Sequence, residues 1–258
     1  MNPLLDLDAH PVIAHRGASA EAPENTLPAF EAAVRAGAEA FELDVRVTAD
    51  GAPVVIHDDT LDRTTDRDGP VRSLTLADLR AVDAGASFTI DGGKTHPHRG
   101  QGIQIPTLGE VLWTFPRMPV LIEIKEPEAQ EAVRRVLLQE GATDRCVVAS
   151  EHAEALRVFD DSTVARGASA DEISGLYWAS VLRRRPAEAG YRFLSVPQRH
   201  RGLRVPTRAL VAAARALGCP EYVWTVNSAV DAQRLWRRGV AGVVTNVPGV
   251  IAGARVSG

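Results

Sequence analysis

The stretch FELDVRVTADGAPVVIHDD, residues 41–59, decides how the rest of the chain is read. Its two halves are rich in β-prone residues and flank Ala49, Asp50 and Gly51, and an Asp-Gly pair between such runs marks a hairpin. Side chains alternate along a strand, so Glu42 and Asp44 share one side while Phe41, Leu43 and Val45 share the other. A turn at 49–51 folds His57 back to lie roughly opposite Leu43. The apolar side fits burial under a helix layer, and in an inner barrel strand the acidic side then faces the barrel interior.

Outward from this hairpin, short β-branched runs alternate with helical patterns. The runs are VIAH (12–15), FELDV (41–45), VLIEIK (120–125), CVVAS (146–150), TVARG (163–167), FLSV (193–196), YVWTV (222–226) and GVVTN (242–246), which makes eight. Helix patterns occupy 25–37, with Asn25 and Thr26 as candidate caps and Gly37 as the stop, and 128–140 before Gly141. Two more begin at Thr207 and at Asp231, ending before Gly218 and Gly239. Eight strands with intervening helices predict a closed α/β (β/α)8 barrel of the TIM type, one domain spanning 1–258. Residues 58–108 interrupt the alternation with few apolar runs, many charges and six glycines. They read as an insertion after strand two, carrying one weak helix at Thr75 to Arg80, and the barrel resumes at Thr107, whose spacing to Glu110 is that of a capping box.

Composition restricts the partners. A chain of 258 residues, 45% hydrophobic, is long enough for one large barrel. Lys and Arg number 29 against 33 Asp and Glu, and a net charge of −4 offers no basic field for nucleic acid. Cys146 and Cys219 have no zinc spacing and read as small buried thiols. The N-terminus MNPLLDLDAH has no signal-peptide pattern, and no apolar run approaches the ~18 residues of a membrane span. The expectation is a cytoplasmic protein without stable membrane insertion.

Carboxylates at Glu42 and Asp44, crowded in a barrel interior, would repel each other, and a bound cation removes the conflict. Oxygen ligands suit Mg²⁺ or Ca²⁺ better than zinc. The competing account is a strand whose acids face solvent. On the next barrel strand Glu123 and Lys125 again share a face, supplying a third carboxylate and an ammonium suited to holding an anion, or simply an ion pair.

The tripeptide HRG occurs three times, at His15, His98 and His200. The first directly follows an apolar strand, which puts His15 at the strand's C-terminal end and Arg16 at the start of a loop, where a guanidinium can grip phosphate. The second, with His96 nearby, lies in a polar segment and reads as exposed loop; the third lies between arginines and reads as a basic rim loop. His57 supplies a second imidazole near the carboxylates, while Asp58 and Asp59 cap or bend the start of the insertion. Two histidines flanking a cation and an Arg/Lys pair form a coherent phosphoryl-transfer site, one accepting a proton from the nucleophile and the other protonating the leaving oxygen. Trp224 closes strand seven, either as core or as a flat wall for a small substrate.

In this order, AHRGASAEAPENTLPAF, FELDVRVTADGAPVVIHDDTLDRTT, IPTLGEVL, LIEIK, VWTVN and GVVTNVP resemble the glycerophosphodiester phosphodiesterases over nearly the whole chain. The resemblance implies a TIM-type barrel with a small insertion after strand two and divalent-metal-dependent hydrolysis of a small glycerophosphodiester to glycerol 3-phosphate and an alcohol. It implies metal ligation by Glu42, Asp44 and Glu123, acid and base roles for His15 and His57, phosphate contacts from Arg16 and Lys125, and Trp224 on the glycerol side. The chain departs from the family at Ala241 and Gly249, where many members are acidic, and at Ser150 and Glu151, where they carry Ser-Phe. These departures point to the far side of the pocket and the alcohol preference. A lysophospholipase D acting on lysophospholipids and a non-catalytic phosphodiester-binding barrel are the alternatives.

Overall fold

The strands are β1 (Val12–His15), β2 (Ala40–Val47), β3 (Pro53–Val55), β4 (Val120–Ile124), β5 (Cys146–Ala149), β6 (Ala165–Arg166), β7 (Leu194–Pro197), β8 (Arg199–His200), β9 (Leu203–Arg204), β10 (Glu221–Trp224) and β11 (Gly242–Thr245). The helices are α1 (Leu27–Arg35), α2 (Leu76–Leu79), α3 (Leu108–Thr114), α4 (Gln130–Gln139), α5 (Ala170–Val181), α6 (Arg208–Ala216), α7 (Ala229–Trp236) and α8 (Pro248–Ala252). They come from a computed structural model that describes residues 2–184 and 190–255.

Parallel pairing runs in the order β6, β5, β4, β2, β1, β11, β10, β7. The ring is completed between β6 and β7 by a parallel bridge from Gly167 to Phe193, with Arg192 N–H donating to Arg166 O and Ala168 N–H to Phe193 O, each at 2.9 Å. A Cβ on Gly167 would sit 2.9 Å from the Phe193 ring, so this closing step depends on glycine. All eight predicted runs supply the strands of this α/β barrel.

The interior is filled by Ile13, Ala40, Leu121, Val147, Phe193, Tyr222 and Val244, with Leu4 beneath them accepting a hydrogen bond from the Tyr222 hydroxyl. Outside the sheet, Phe41, Leu43 and Val45 pack with Phe30 of α1 and with the apolar face of α4, as the alternation in β2 requires. Both cysteines are buried free thiols. No helix among the described residues is long and apolar enough to cross a membrane.

Several local expectations change. Helix α1 starts at Leu27 with Thr26 in the N-cap position as read, but neither candidate caps it through its side chain, Asn25 taking φ 58° and turning away. Helix α7 starts earlier than Asp231, with Ser228 accepting from Asp231 N–H. Helix α5 and the β8–β9 hairpin have no counterpart in the sequence reading; α5 exposes Trp178 and Val181 and so lacks a clean apolar stripe. Residues after β3 are not merely polar loop. Leu61, Val71, Leu79, Val82, Ala84, Ile103 and Ile105 are scattered singly along the chain but meet in a small core against Val54 and Ile56.

Glu221 begins β10 with 2% exposure and no hydrogen-bond partner for either carboxylate oxygen among the described residues. Burial pushes its carboxyl up from the usual 4.5 to about 8. Folding therefore takes up a proton between those two values, so stability is full below about pH 4.5 and falls as pH rises towards 8. Glu221→Met removes that slope: in urea unfolding the variant gains on the order of 4 kcal/mol more at pH 8 than at pH 4.5. Equal gains at the two pH values would refute the assignment of a neutral buried acid.

Candidate active site

The site is assembled by strand register at the C-terminal ends of the strands. Pairing of β1 with β2 puts His15 beside Glu42, and pairing of β2 with β4 puts Asp44 beside Glu123. Glu42 and Asp44, two apart, point inward together, and one oxygen each from Glu42, Asp44 and Glu123 lie within 4.8 Å of one another. Lys125 follows β4 and sets Nζ 3.0 Å from Asp44 Oδ1 and 2.8 Å from Glu123 Oε1.

Charge crowding shows in the protonation preferences. Burial, then the charges of Asp44 and Glu123, raise the Glu42 carboxyl well above its ordinary range. Burial also opposes ionisation of Asp44, but Arg16 and Lys125 outweigh it and hold that carboxyl low. Asp44 Oδ1 is buried without an aligned hydrogen-bond donor, although Lys125 lies within ion-pair distance. Three clustered carboxylates with an unsatisfied buried oxygen fit a hard divalent cation, which favours oxygen donors and would relieve the repulsion on Glu42.

The loop after β1 turns sharply. Arg16 has φ 57° and Gly17 φ 82°, and a Cβ at Gly17 would lie 2.6 Å from the Ala29 backbone. That turn returns Arg16 to the cluster, with Nε 3.0 Å from Asp44 Oδ2 and Nη1 2.9 Å from Glu24 Oε1. Asn25, read from sequence as a cap, donates from Nδ2 to Asp44 Oδ2 at 2.9 Å instead.

His15 Nδ1 is 2.7 Å from Asn246 Oδ1, which only accepts, so the ring is assigned a proton on Nδ1 and leaves Nε2 free, 3.9 Å from Glu42 Oε2. Burial and Arg16 lower the His15 affinity for a second proton, and the Asn246 contact only partly offsets them. The antiparallel register of β2 and β3, extended by Ile56 N–H donating to Asp44 O, places His57 opposite Leu43 as predicted. Its Nδ1 lies 2.6 Å from Asp58 Oδ1, so Asp58 orients the imidazole rather than capping the insertion. Burial opposes the Asp58 charge, but hydrogen bonds from Arg63 and His57 bring the carboxyl down to about 2. Arg63 also grips Glu24, at 2.7 and 2.8 Å, and Glu24 reaches Arg16, so one charge network runs from His57 to Asp44.

Trp224 ends β10 half-buried over the interior core, on the mouth side. The structure thus gathers His15, Arg16, Glu42, Asp44, His57, Glu123 and Lys125 at one barrel mouth, with Trp224 on its wall. Arg63, Glu24 and Asn246 are site residues the sequence did not single out, and Asn25 and Asp58 were read there as caps and not as site residues; the only signal was adjacency to the motifs, Asp58 after His57 and Asn25 after Glu24. His96 and His98 stay outside: they are half-buried, not exposed, because His96 bonds Phe88 O and the His98 ring packs 5.3 Å from Phe88. Ala241 and Gly249 do not face the mouth, since Ala241 precedes β11 in the interior core and Gly249 lies in α8 against Ala36.

A model of the glycerophosphoryl diester phosphodiesterase family matches residues 15–250. The chain belongs to this family. A glycerophosphodiester phosphodiesterase of Caldanaerobacter subterraneus is 32% identical over 252 residues, covering 92% of this chain and 94% of its relative. Among solved structures, the glycerophosphoryl diester phosphodiesterase domain of an uncharacterized Mycobacterium tuberculosis protein superposes with a TM-score of 0.82 at 26% identity, covering 95% of this chain and 98% of that one. An Oleispira antarctica phosphodiesterase, solved with its product sn-glycerol-3-phosphate, gives 0.75 at 30% identity over 95% and 96% of the two chains. As a member of the glycerophosphoryl diester phosphodiesterase family, the protein falls in an enzyme class of phosphoric diester hydrolases, and the motifs at His15, Glu42 and His57 lie within the matched residues.

Proposed function

We propose that the protein hydrolyses glycerophosphodiesters to glycerol 3-phosphate and an alcohol. The observation that carries this reading is the convergence of two differently partnered imidazoles on a mouth that also holds three carboxylates and two cationic side chains. Family membership and a structural relative solved with sn-glycerol-3-phosphate support the substrate class.

When bound to Glu42, Asp44 and Glu123, Mg²⁺ or Ca²⁺ supplies charge neutralisation and orientation at a phosphate oxygen. Arg16 and Lys125 hold the phosphodiester from the two flanks of Asp44. His15 acts as general base, because burial and Arg16 keep its Nε2 unprotonated near neutrality. His57 acts as general acid, since Asp58, ionised well below neutrality, balances the charge when the ring carries both protons. The proton thus leaves the attacking hydroxyl, of water or of the glycerol, towards His15 and reaches the departing alkoxide from His57; where the glycerol hydroxyl attacks, water then opens the cyclic phosphate to glycerol 3-phosphate with the two histidine roles reversed. Trp224 offers its face to the glycerol carbons.

The test is release of glycerol 3-phosphate from glycerophosphocholine by the purified full chain with Mg²⁺ or Ca²⁺. Release is expected, with lysophosphatidylcholine a poorer substrate; no release with any divalent metal ends the reading, and preference for the lysolipid transfers it to a lysophospholipase D. A substrate lacking the glycerol hydroxyl next to phosphorus separates internal attack from attack by water: it is inert in the first case and cleaved in the second.

A further inference from the structure

The sequence RHRGLR, residues 199–204, supplies none of the side chains gathered at the mouth, although the preceding Gln198 donates to Trp224 O and Thr225 O. The stretch forms the β8–β9 hairpin, in which Arg199 pairs with Arg204 and His200 with Leu203. Two guanidiniums directly opposite in so short a ribbon repel each other, so the local sequence works against its own fold. Between the hairpin and α7 lies a cavity of about 210 Å³, and its lining brings Arg199 and Arg204 together with Arg234 and Arg238 of the α7 segment. Asp231 is the carboxylate in that lining, and its oxygen stays 3.7 Å from Arg234.

The more enclosed arginines Arg16 and Arg166, and Arg63 and Arg215 nearer the surface, each reach a carboxylate within 3.0 Å, whereas other surface arginines such as Arg35 and Arg157 lie 3.9–4.0 Å from one. Arg199, Arg204 and Arg238 have none within 4.0 Å among the described residues. Arg234 Nε is buried and makes no hydrogen bond. Desolvation, with the charges of Arg204, Arg234 and Arg208, disfavours even the surface guanidinium of Arg238. An anion in the cavity relieves all of these at once.

We propose that this cavity is a binding site for a phosphate-type oxyanion, separate from the catalytic mouth, taking either a small phosphomonoester or the phosphate of a lipid headgroup. A tetrahedral dianion presents enough oxygens to meet several guanidinium forks, whereas a single carboxylate saturates one fork and leaves the rest repelling. The cavity lining contains none of His15, Arg16, His57, Lys125 or Trp224, so occupancy does not compete with substrate for ligands.

The test uses calorimetric titration of the full chain with inorganic phosphate at constant ionic strength. Lys125→Gln, which weakens any phosphate contact at the mouth, is expected to retain the phosphate binding that this cavity gives wild type. Arg204→Gln and the surface variant Arg238→Gln, each with a wild-type thermal midpoint, bind at least about tenfold more weakly, the loss of one charge-assisted contact. A parallel sedimentation arm compares phosphatidylglycerol with phosphatidylcholine vesicles. Capture by the anionic vesicles that depends on Arg204 assigns a lipid headgroup; phosphate binding without vesicle capture assigns a soluble phosphomonoester. The proposal is overturned if both arginine variants bind phosphate and vesicles as wild type does, or if Lys125→Gln alone removes phosphate binding.

Discussion

His57→Ala is expected to lower kcat on a glycerophosphodiester by roughly 10²- to 10⁴-fold, with KM changed far less. The imidazole has its Nδ1 tied to Asp58 at 2.6 Å, which leaves Nε2 as the atom that, in the proposed mechanism, delivers a proton to the leaving alkoxide. The loss therefore follows the leaving group: an alcohol of low pKa departs without assistance and recovers much of the rate, whereas choline or glycerol does not. Asp58→Asn keeps the ring but removes the balancing charge, so it falls between wild type and His57→Ala. In the proposed mechanism His15 sets the acid limb of kcat/KM. Burial and Arg16 hold it below its ordinary 6.5, and a base must be unprotonated to act, so activity is retained as pH falls through 6.5 and is lost only below it. Stopped assays on both alcohol classes across pH check these statements together. An equal loss on good and poor leaving groups removes His57 from the acid role.

Removing the cation with EDTA is expected to reduce turnover by roughly 10³-fold or more, with recovery on adding Mg²⁺ or Ca²⁺. A readout independent of turnover comes from stability, because a ligand that binds only the folded state at 100 times its Kd raises stability by about 2.7 kcal/mol. Glu42→Gln discriminates here. In the metal-free chain burial and the charges of Asp44 and Glu123 already oppose ionisation of Glu42, so the neutral amide leaves the apo protein at least as stable as wild type. The same variant loses most of the stabilisation on adding metal. Asp44→Asn behaves differently: it leaves Arg16 and Lys125 near a neutral side chain in a buried setting and costs about 3–5 kcal/mol even without metal. Thermal unfolding with and without metal measures both. Equal metal-induced stabilisation in wild type and Glu42→Gln would show that the three carboxylates are not the cation site.

The alternation in residues 41–59 was enough to put Glu42 and Asp44 on one face and to bring His57 opposite Leu43, and the structure bears out both. Strand periodicity is a local property of two residues and a turn, so a single sequence carries it. The same holds for the eight barrel runs and for the capping box at Thr107. Asn25 shows where local reading stops. Its place before a helix makes it look like a cap, yet the left-handed turn at Arg16 and Gly17 carries it to Asp44, a partner set by loop path and not by spacing.

Asn246 holds His15 from 231 positions away, and no pattern in either segment announces that contact. Arg63 reaches Glu24 and Asp58 together only because the segment after β3 gathers its scattered leucines, valines and isoleucines into a core of their own. By itself, then, the sequence determined which side chains share a strand face and which strands recur, because those follow from the backbone repeat. Only the tertiary structure decided which buried charge is paired, which ring nitrogen is free, and which arginines are left without an acid. A buried charge is stabilised or destabilised by whatever the closed barrel and its loops bring within a few ångströms of it, and that neighbourhood exists only after the ring has closed at Gly167 and Phe193.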